Sequence, residues 1–165
     1  MHTAAIETPT GIVEIGVDRD ALVSLRFVDD SDAPAEDPSG ILDALRRYFA
    51  GDVHAIDDLP VRFDRGTPFQ HEVWNALRTI RVGETISYAE LARCVDRPSA
   101  FRAVGAANGQ NPVGVVVPCH RVIAADGTLG GYAGGLDRKR WLLAHEGASA
   151  PADRRLDQPL PGVSV

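Results

Sequence analysis

The chain has 165 residues, 44% apolar and 24% charged, with a formal net charge of −6. This composition excludes a disordered or low-complexity chain and fits one large or two small globular domains. The apolar runs are too short for a membrane span, and the start "MHTAAIETPTG" lacks the basic region and long apolar core of an export signal. A cytoplasmic location is therefore expected, with the two cysteines, Cys94 and Cys119, held as reduced thiols rather than a disulfide.

In chain order, "GIVEIGVD" (11–18) puts Val13, Ile15 and Val17 on one face, and "ALVSLRFV" (21–28) does the same with Val23, Leu25 and Phe27. Such alternation predicts strands. "TPTG" before them and "DRD" between them are turn-forming, so the start reads as an antiparallel meander. A polar, acidic loop follows. Ser39 then caps a predicted helix with an Ile41, Leu42, Leu45, Tyr48 and Phe49 stripe, and Gly51 ends it. Residues 51–66 read as irregular, with a short strand at 61–63. A boundary near 64–66 divides an N-terminal domain (1–65) from a C-terminal one (66–148).

The second half opens on a capping box, Thr67 with Gln70, and Pro68 at the first helical position. Phe69, Val73, Leu77 and Ile80 recur at helical spacing. A second box, Ser87 with Glu90, starts another helix, in which Cys94 reads as a small core residue. "DRPS" breaks it, and Ser99 is the expected cap of a third, "AFRAVGAAN". Two short helices joined by a tight turn suggest a helix-turn-helix. Ala100, Ala103, Gly105, Ala106 and Ala107 suit close approach, either within the protein or to a partner. "LDRKRWLLAHEG" is the last helix, with Asp137 as cap. Residues 149–165 are expected to form a flexible tail.

Charge is uneven. Residues 1–66 carry 6 Arg against 14 Asp and Glu, a net of −8; residues 67–148 carry a net of +2. An acidic whole does not forbid a polyanion partner on the mildly basic half.

"VVVPCHRVI" (115–123) reads as a buried strand interrupted by Pro118, Cys119 and His120. A thiol attacks carbon only as the thiolate, so it needs a base or a favourable charge. His120 is adjacent, but neighbouring side chains on a strand face opposite ways, so a relay requires a turn or an intervening water. Glu146, flanked by apolar residues, is the candidate to orient the imidazole; the alternative is a solvated helix-end glutamate. A packed thiol beside a surface imidazole is the alternative for the pair. His2, His54, His71 and His145 have no paired-ligand spacing, and there is no C-x-x-C, Walker A or dinucleotide fingerprint.

Three stretches, "GTPFQHEVWNALRTIRVGETISYAELA", "FRAVGAANGQNPVGVVVPCHRVIAADGTLGGYAGGLDRKRWLLAHE" and within it "PCHRV", together resemble the O6-alkylguanine–DNA alkyltransferases. The resemblance covers nearly all of residues 66–146; the first 65 match only in layout. It implies an α+β fold: a small N-terminal antiparallel-sheet domain of ribonuclease H-like type, and a mainly helical C-terminal domain with a winged-helix-like helix-turn-helix that enters the minor groove. It implies that O6-alkylguanine is flipped from duplex DNA and its alkyl group passed irreversibly to the protein, once per molecule. O4-alkylthymine as a substrate and cooperativity along DNA stay open; the chain is expected to act as a monomer.

By position, Cys119 resembles the nucleophile, His120 the base acting through water, Glu146 the carboxylate behind it, and Asn111 the brace of the active-site turns. Arg102 resembles the finger that fills the space of the flipped base. Tyr88 resembles the tyrosine that crowds the phosphate and bonds guanine N3. Tyr132, Ala133 and Gly134 resemble the pocket loop, and the Cys119 and Val122 carbonyls the acceptors for the guanine amino group. Ala100, Ala103 and Gly105 then face DNA, where small side chains allow backbone contact without base readout.

Phe101 departs from the pattern, standing where many members have a small residue. It is either a core contact or an apolar lip at the groove. Ala133 stands where some members have serine. No cofactor is expected, and no zinc, since no cysteine precedes Cys94. Alkyltransferase-like damage binders carry another residue in place of the cysteine, so Cys119 argues against that reading. A cysteine hydrolase is the remaining alternative.

Overall fold

The structure, a computed structural model, describes residues 1–148; the tail expected over 149–165 lies outside them. The fold is α+β, with one small antiparallel sheet and several helices. The described residues divide into two compact units, one of Met1–Asp64 with Pro112–Val116, the other of Arg65–Asn111 with residues 117–148.

In the first unit, β1 (His2–Thr8), β2 (Gly11–Asp18) and β3 (Ala21–Val28) form the meander in the order β1-β2-β3. Arg19 and Asp20 both take positive φ, 51° and 61°, in the two-residue turn between β2 and β3, which matches the twist of a hairpin. A bulge between Gly16 and Val17 shifts the register so that Val17 faces Leu22. Leu22 is therefore fully buried, although simple alternation places it opposite Val23. The helix α1 (Ile41–Phe49) buries all five residues of its stripe. Each such side chain contributes roughly 1.5–3 kcal/mol relative to exposure.

The α1 cap differs from expectation. Gly40, at φ 84°, is the N-cap, and Asp37 reaches past it to accept from the Leu42 N–H at 3.0 Å. Ser39 accepts only a 3.3 Å bond from the Ile41 N–H and donates its hydroxyl to Asp37 at 2.6 Å. Burial opposes charge on Asp37, but Ser39, His2 and the Leu42 N–H hold its carboxyl well below the usual range. The strand expected at 61–63 is reduced to one bridge, Leu22 to Val61.

"VVV" is buried but is not a strand. Val113 makes a single parallel bridge to Leu25. Val115 then takes φ 68°, and the Val116 N–H bonds the Gly114 carbonyl at 2.8 Å. This three-residue turn is strained for a β-branched residue.

In the second unit, both capping boxes form. Thr67 accepts from the Gln70 N–H at 3.1 Å while Gln70 accepts from the Thr67 N–H at 2.9 Å, opening α2 (Pro68–Leu77). Ser87 and Glu90 do the same for α3 (Tyr88–Cys94). The preceding two-residue strand β4 (Ile86–Ser87) pairs in parallel with β5 (Val122–Ile123). That pairing sets the start of α3 beside the segment after Cys119. The helix α4 (Phe101–Gly109) has Ala100 as N-cap and no side-chain cap, so Ser99 does not fill that place. Trp74 donates its indole N–H to the Ala107 carbonyl at 2.8 Å, tying α2 to α4. Gly135, not Asp137, is the N-cap of α5 (Leu136–His145). Among the described residues, no helix is long and apolar enough to cross a membrane.

Candidate active site

Pro118 ends the buried run, and Cys119–Arg121 form one turn of 3₁₀ helix. This turn, rather than a strand, carries the cysteine and histidine, so the opposite-face objection does not arise. Cys119 is 5% exposed and His120 fully buried. The Glu146 residue, the C-cap of α5, is buried as well, which rules out a solvated helix-end glutamate. His120 Nε2 lies 3.0 Å from Glu146 Oε2. An ionised carboxylate accepts only, so Nε2 is the donor, and in the neutral imidazole Nδ1 is the acceptor. His120 Nδ1 is buried with no hydrogen-bond partner among the described residues. Cys119 shares the same 3₁₀ turn but does not bond Nδ1, so this acceptor can serve the thiol as general base only through a bridging water.

Glu146 is held from a second side. Arg121 donates from Nε to Oε1 at 2.9 Å and from Nη2 to Oε2 at 3.0 Å, and from Nη1 to the Ile80 carbonyl at 2.6 Å. Burial disfavours charge on Glu146, but His120 and Arg121 hold its carboxyl well below the usual range. The carboxylate therefore stays ionised and fixes the imidazole's tautomer.

Burial pushes the Cys119 thiol up; a hydrogen bond from the Asn111 side chain and the Lys139 ammonium pull the other way. At rest the sulfur is thus protonated and needs help to ionise. Asn111 also donates to the Val117 carbonyl at 2.7 Å, bracing the turn into Pro118. Asn108 donates to the Cys119 carbonyl at 3.4 Å from the other side.

Lys139 is the only lysine of the chain and is fully buried. Its Nζ donates to the Val122 carbonyl at 2.6 Å and the Gly131 carbonyl at 2.9 Å. It thereby pins the "PCHRV" segment to the glycine-rich loop, and it lies 5.9 Å from the centre of the Tyr88 ring. Burial lowers its pKa to about 8, with the Cys119 sulfur pulling weakly upward. The folded chain thus binds the Lys139 proton less tightly than the unfolded chain, so this group makes stability rise with pH between the two values. Between about pH 7 and 10.5, wild type should gain roughly 3 kcal/mol over Lys139→Met in urea unfolding. A pH-independent difference would show that the buried amine is not destabilised as argued.

The other sequence-picked residues gather nearby. Tyr88 lies between two glycines. A Cβ on Gly105 would meet its ring at 3.6 Å and one on Gly130 at 3.1 Å, and its hydroxyl points to the Gly131 carbonyl at 3.5 Å. Tyr132 sets its edge to the His120 ring, centroids 6.5 Å apart at 80°. Burial, with the Cys119 and Glu146 charges, raises the Tyr132 phenol well above its usual value, so it stays neutral. Ala133 is exposed, and the Gly134 carbonyl accepts from Arg138 at 3.0 Å. Both carbonyls picked as acceptors are already engaged, Val122 by Lys139 and Cys119 by Asn108 and the Val122 N–H. The Val122 carbonyl keeps a second lone pair, whereas both lone pairs of the Cys119 carbonyl are taken, so a guanine amino group would have to share or displace one of its donors.

Phe101, Arg102 and Ala103 are exposed on α4, while Ala100 and Gly105 are part-buried. Cys94 is exposed, not core. Its position falls off the Leu91, Ala92 and Val95 face that α3 buries. Sequence reasoning missed Asn108, Arg121 and Lys139. A lone lysine among arginines was the one available signal.

Comparison with known proteins bears on this site. Residues 68–148 match the family model described as 6-O-methylguanine DNA methyltransferase, DNA binding domain. A methylated-DNA–protein-cysteine methyltransferase of Mycobacterium tuberculosis (strain H37Rv) is 46% identical over 165 residues, covering 94% of this chain and 98% of that protein. One of Shigella flexneri is 58% identical over 113 residues, covering 68% of this chain and 66% of that protein, so the match spans just under two thirds of that relative. Among solved structures, M. tuberculosis OGT in complex with DNA superposes with a TM-score of 0.78 at 44% identity, over 94% of this chain and 99% of that one. The O6-methylguanine-DNA methyltransferase of Pyrococcus kodakaraensis strain KOD1 gives 0.67 at 26% identity, over 89% and 99%.

Proposed function

This chain belongs to the methylated-DNA–protein-cysteine methyltransferase family, and on that premise we propose that it repairs O6-alkylguanine in duplex DNA by taking the alkyl group onto Cys119. The observation that carries the reading is the buried pair Glu146–His120 on the same turn as Cys119, with Nδ1 of His120 left without a partner.

The reaction follows from those groups. His120, acting through a water, draws the proton from Sγ of Cys119. The thiolate attacks the alkyl carbon, an S–C bond forms, and the C–O6 bond breaks with its electron pair going to the guanine. The thiol's proton returns through imidazole and solvent to the base, which leaves as ordinary guanine. Glu146 stabilises the transient imidazolium, and Lys139 favours the thiolate by charge. Asn111 holds the turn. No group in this relay removes an alkyl from a thioether, so one molecule acts once.

The damaged base must leave the stack to reach a buried sulfur. Tyr88, Tyr132, Ala133 and Gly134 would wall its pocket, with the carbonyls of Cys119 and Val122 toward its amino group. Arg102 would fill the vacated space, while Ala100, Ala103 and Gly105 let α4 approach the sugar–phosphate backbone. In this reading α3 and α4 act as the helix-turn-helix, with a winged-helix-like surround, and the first unit is ribonuclease H-like. A free nucleophilic thiol suits a reducing compartment, hence the cytoplasm.

Intact-mass measurement after mixing with a duplex carrying O6-methylguanine tests the proposal. A stable gain of one methyl per chain is expected. No adduct with repeated product release would instead indicate a hydrolase.

A further inference from the structure

Phe101 is the one exposed Phe, Tyr or Trp among the described residues, 49% accessible at the first position of α4. That exposure removes the core-contact reading. A ring left half in water forgoes the burial free energy a core site would give it, so its place calls for a partner. Around it α4 is small and carries no acid: in "FRAVGAANG" the only charge is Arg102. The Arg102 guanidinium lies 6.0 Å from the Phe101 ring centre.

Helical spacing separates the two side chains into different rows. Phe101 heads the row that continues at Gly105, and Gly105 passes over the Tyr88 ring. Tyr88 in turn abuts Gly130 and reaches toward the Gly131 carbonyl. Arg102 heads the neighbouring row, with Ala106 and Gly109. The aromatic thus stands on the side of α4 nearer the glycine-rich loop, and the cation on the outer side.

We propose that Phe101 is a second plug for the DNA gap. When the alkylated guanine leaves the stack, the ring wedges from the minor groove against the flanking base pair, while Arg102 occupies the space across from the orphaned partner base. Apolar side chains inserted between base steps hold DNA open in this way in other minor-groove proteins. The occupant is duplex DNA because the ring is continuous with the helix that falls inside the matched DNA-binding domain, 68–148. The inference rests on the alkyl-transfer reading and adds a positioning residue to it.

The test compares wild type, Phe101→Ala and Phe101→Trp by adduct formation on duplex O6-methylguanine and on free O6-benzylguanine. Thermal melting and the emission of 2-aminopurine placed next to the lesion are read in parallel. Phe101→Ala should slow duplex repair roughly tenfold, about one lost stacking contact, far more than reaction with the free base, with no loss of melting temperature. It should also change the 2-aminopurine signal. Phe101→Trp should restore the rate, and its indole emission should be quenched by the duplex. Equal slowing on both substrates with a lower melting temperature would make the ring structural and overturn the proposal. An unchanged duplex rate, or a shift in oligomeric state pointing to a second copy as occupant, would overturn it as well. Failure of wild type to gain alkyl mass on either substrate would instead overturn the transfer reading itself.

Discussion

Cys119→Ala will take up no alkyl group and will still bind duplex DNA. The only other thiol, Cys94, is exposed and lies outside the relay of His120 and Glu146, so it cannot substitute. Loss of one buried sulfur costs the fold about 1 kcal/mol, the small end of the large-to-small range, so the variant should fold. The α4 surface does not include Cys119, and DNA affinity should change little. Intact mass with an O6-methylguanine duplex reads the first outcome, and fluorescence anisotropy reads the second. A methyl adduct on the alanine variant would show that some other side chain is the acceptor. Cys94→Ser is the control, expected to repair at the wild-type rate.

Glu146→Gln should damage both stability and chemistry. The carboxylate is the shared acceptor of Arg121 and His120. A neutral amide leaves the Arg121 guanidinium buried with only the Ile80 carbonyl as a strong acceptor. Breaking a buried pair in this way costs about 3–5 kcal/mol, chiefly from the uncompensated charge. The imidazole also loses the anion that fixes its tautomer, and the transfer rate should fall by about 10²–10⁴.

The pH dependence separates the two effects. Glu146 ionises more readily folded than unfolded. Its contribution to stability is therefore complete above the unfolded carboxyl value, roughly pH 4.3, and is lost as pH falls toward the folded value. Wild type should lose stability steeply on the acid side of that point, and Glu146→Gln should lose less. Urea unfolding of both proteins at neutral and acid pH checks this. Parallel curves would mean that the carboxylate is not the ionised partner described.

Much of this could be read along the chain because the informative signals were local. A capping box is a four-residue statement, and both, Thr67 with Gln70 and Ser87 with Glu90, form as the letters indicate. The α1 stripe is a five-residue statement and is buried throughout. Cys119, His120 and Glu146 were grouped by motif and by the apolar flanks of Glu146, and the structure brings the imidazole and carboxylate into contact.

What could not be read depends on the rest of the fold. "VVV" has strand composition, yet the positive φ at Val115 and the turn from Gly114 to Val116 override that preference. Ser39 is a good cap by type, but Gly40 turns the chain early and hands the role to Asp37. Leu22 is buried because a bulge shifts its register, and no two-residue pattern reports a bulge in advance. Arg121 and Lys139 are cations with ordinary surface chemistry until carbonyls and a carboxylate close around them. Nothing in "HRV" announces that enclosure, and in "DRKRW" the lone lysine among arginines is the one hint of it.

The buried Lys139 leaves the rest of the chain without another lysine. Every other basic side chain is arginine or histidine, so the folded protein offers amine-directed reagents no exposed lysine. A dye ester should therefore reach the Lys139 side chain only when the fold opens, and the rate at which that one position is tagged would clock the opening.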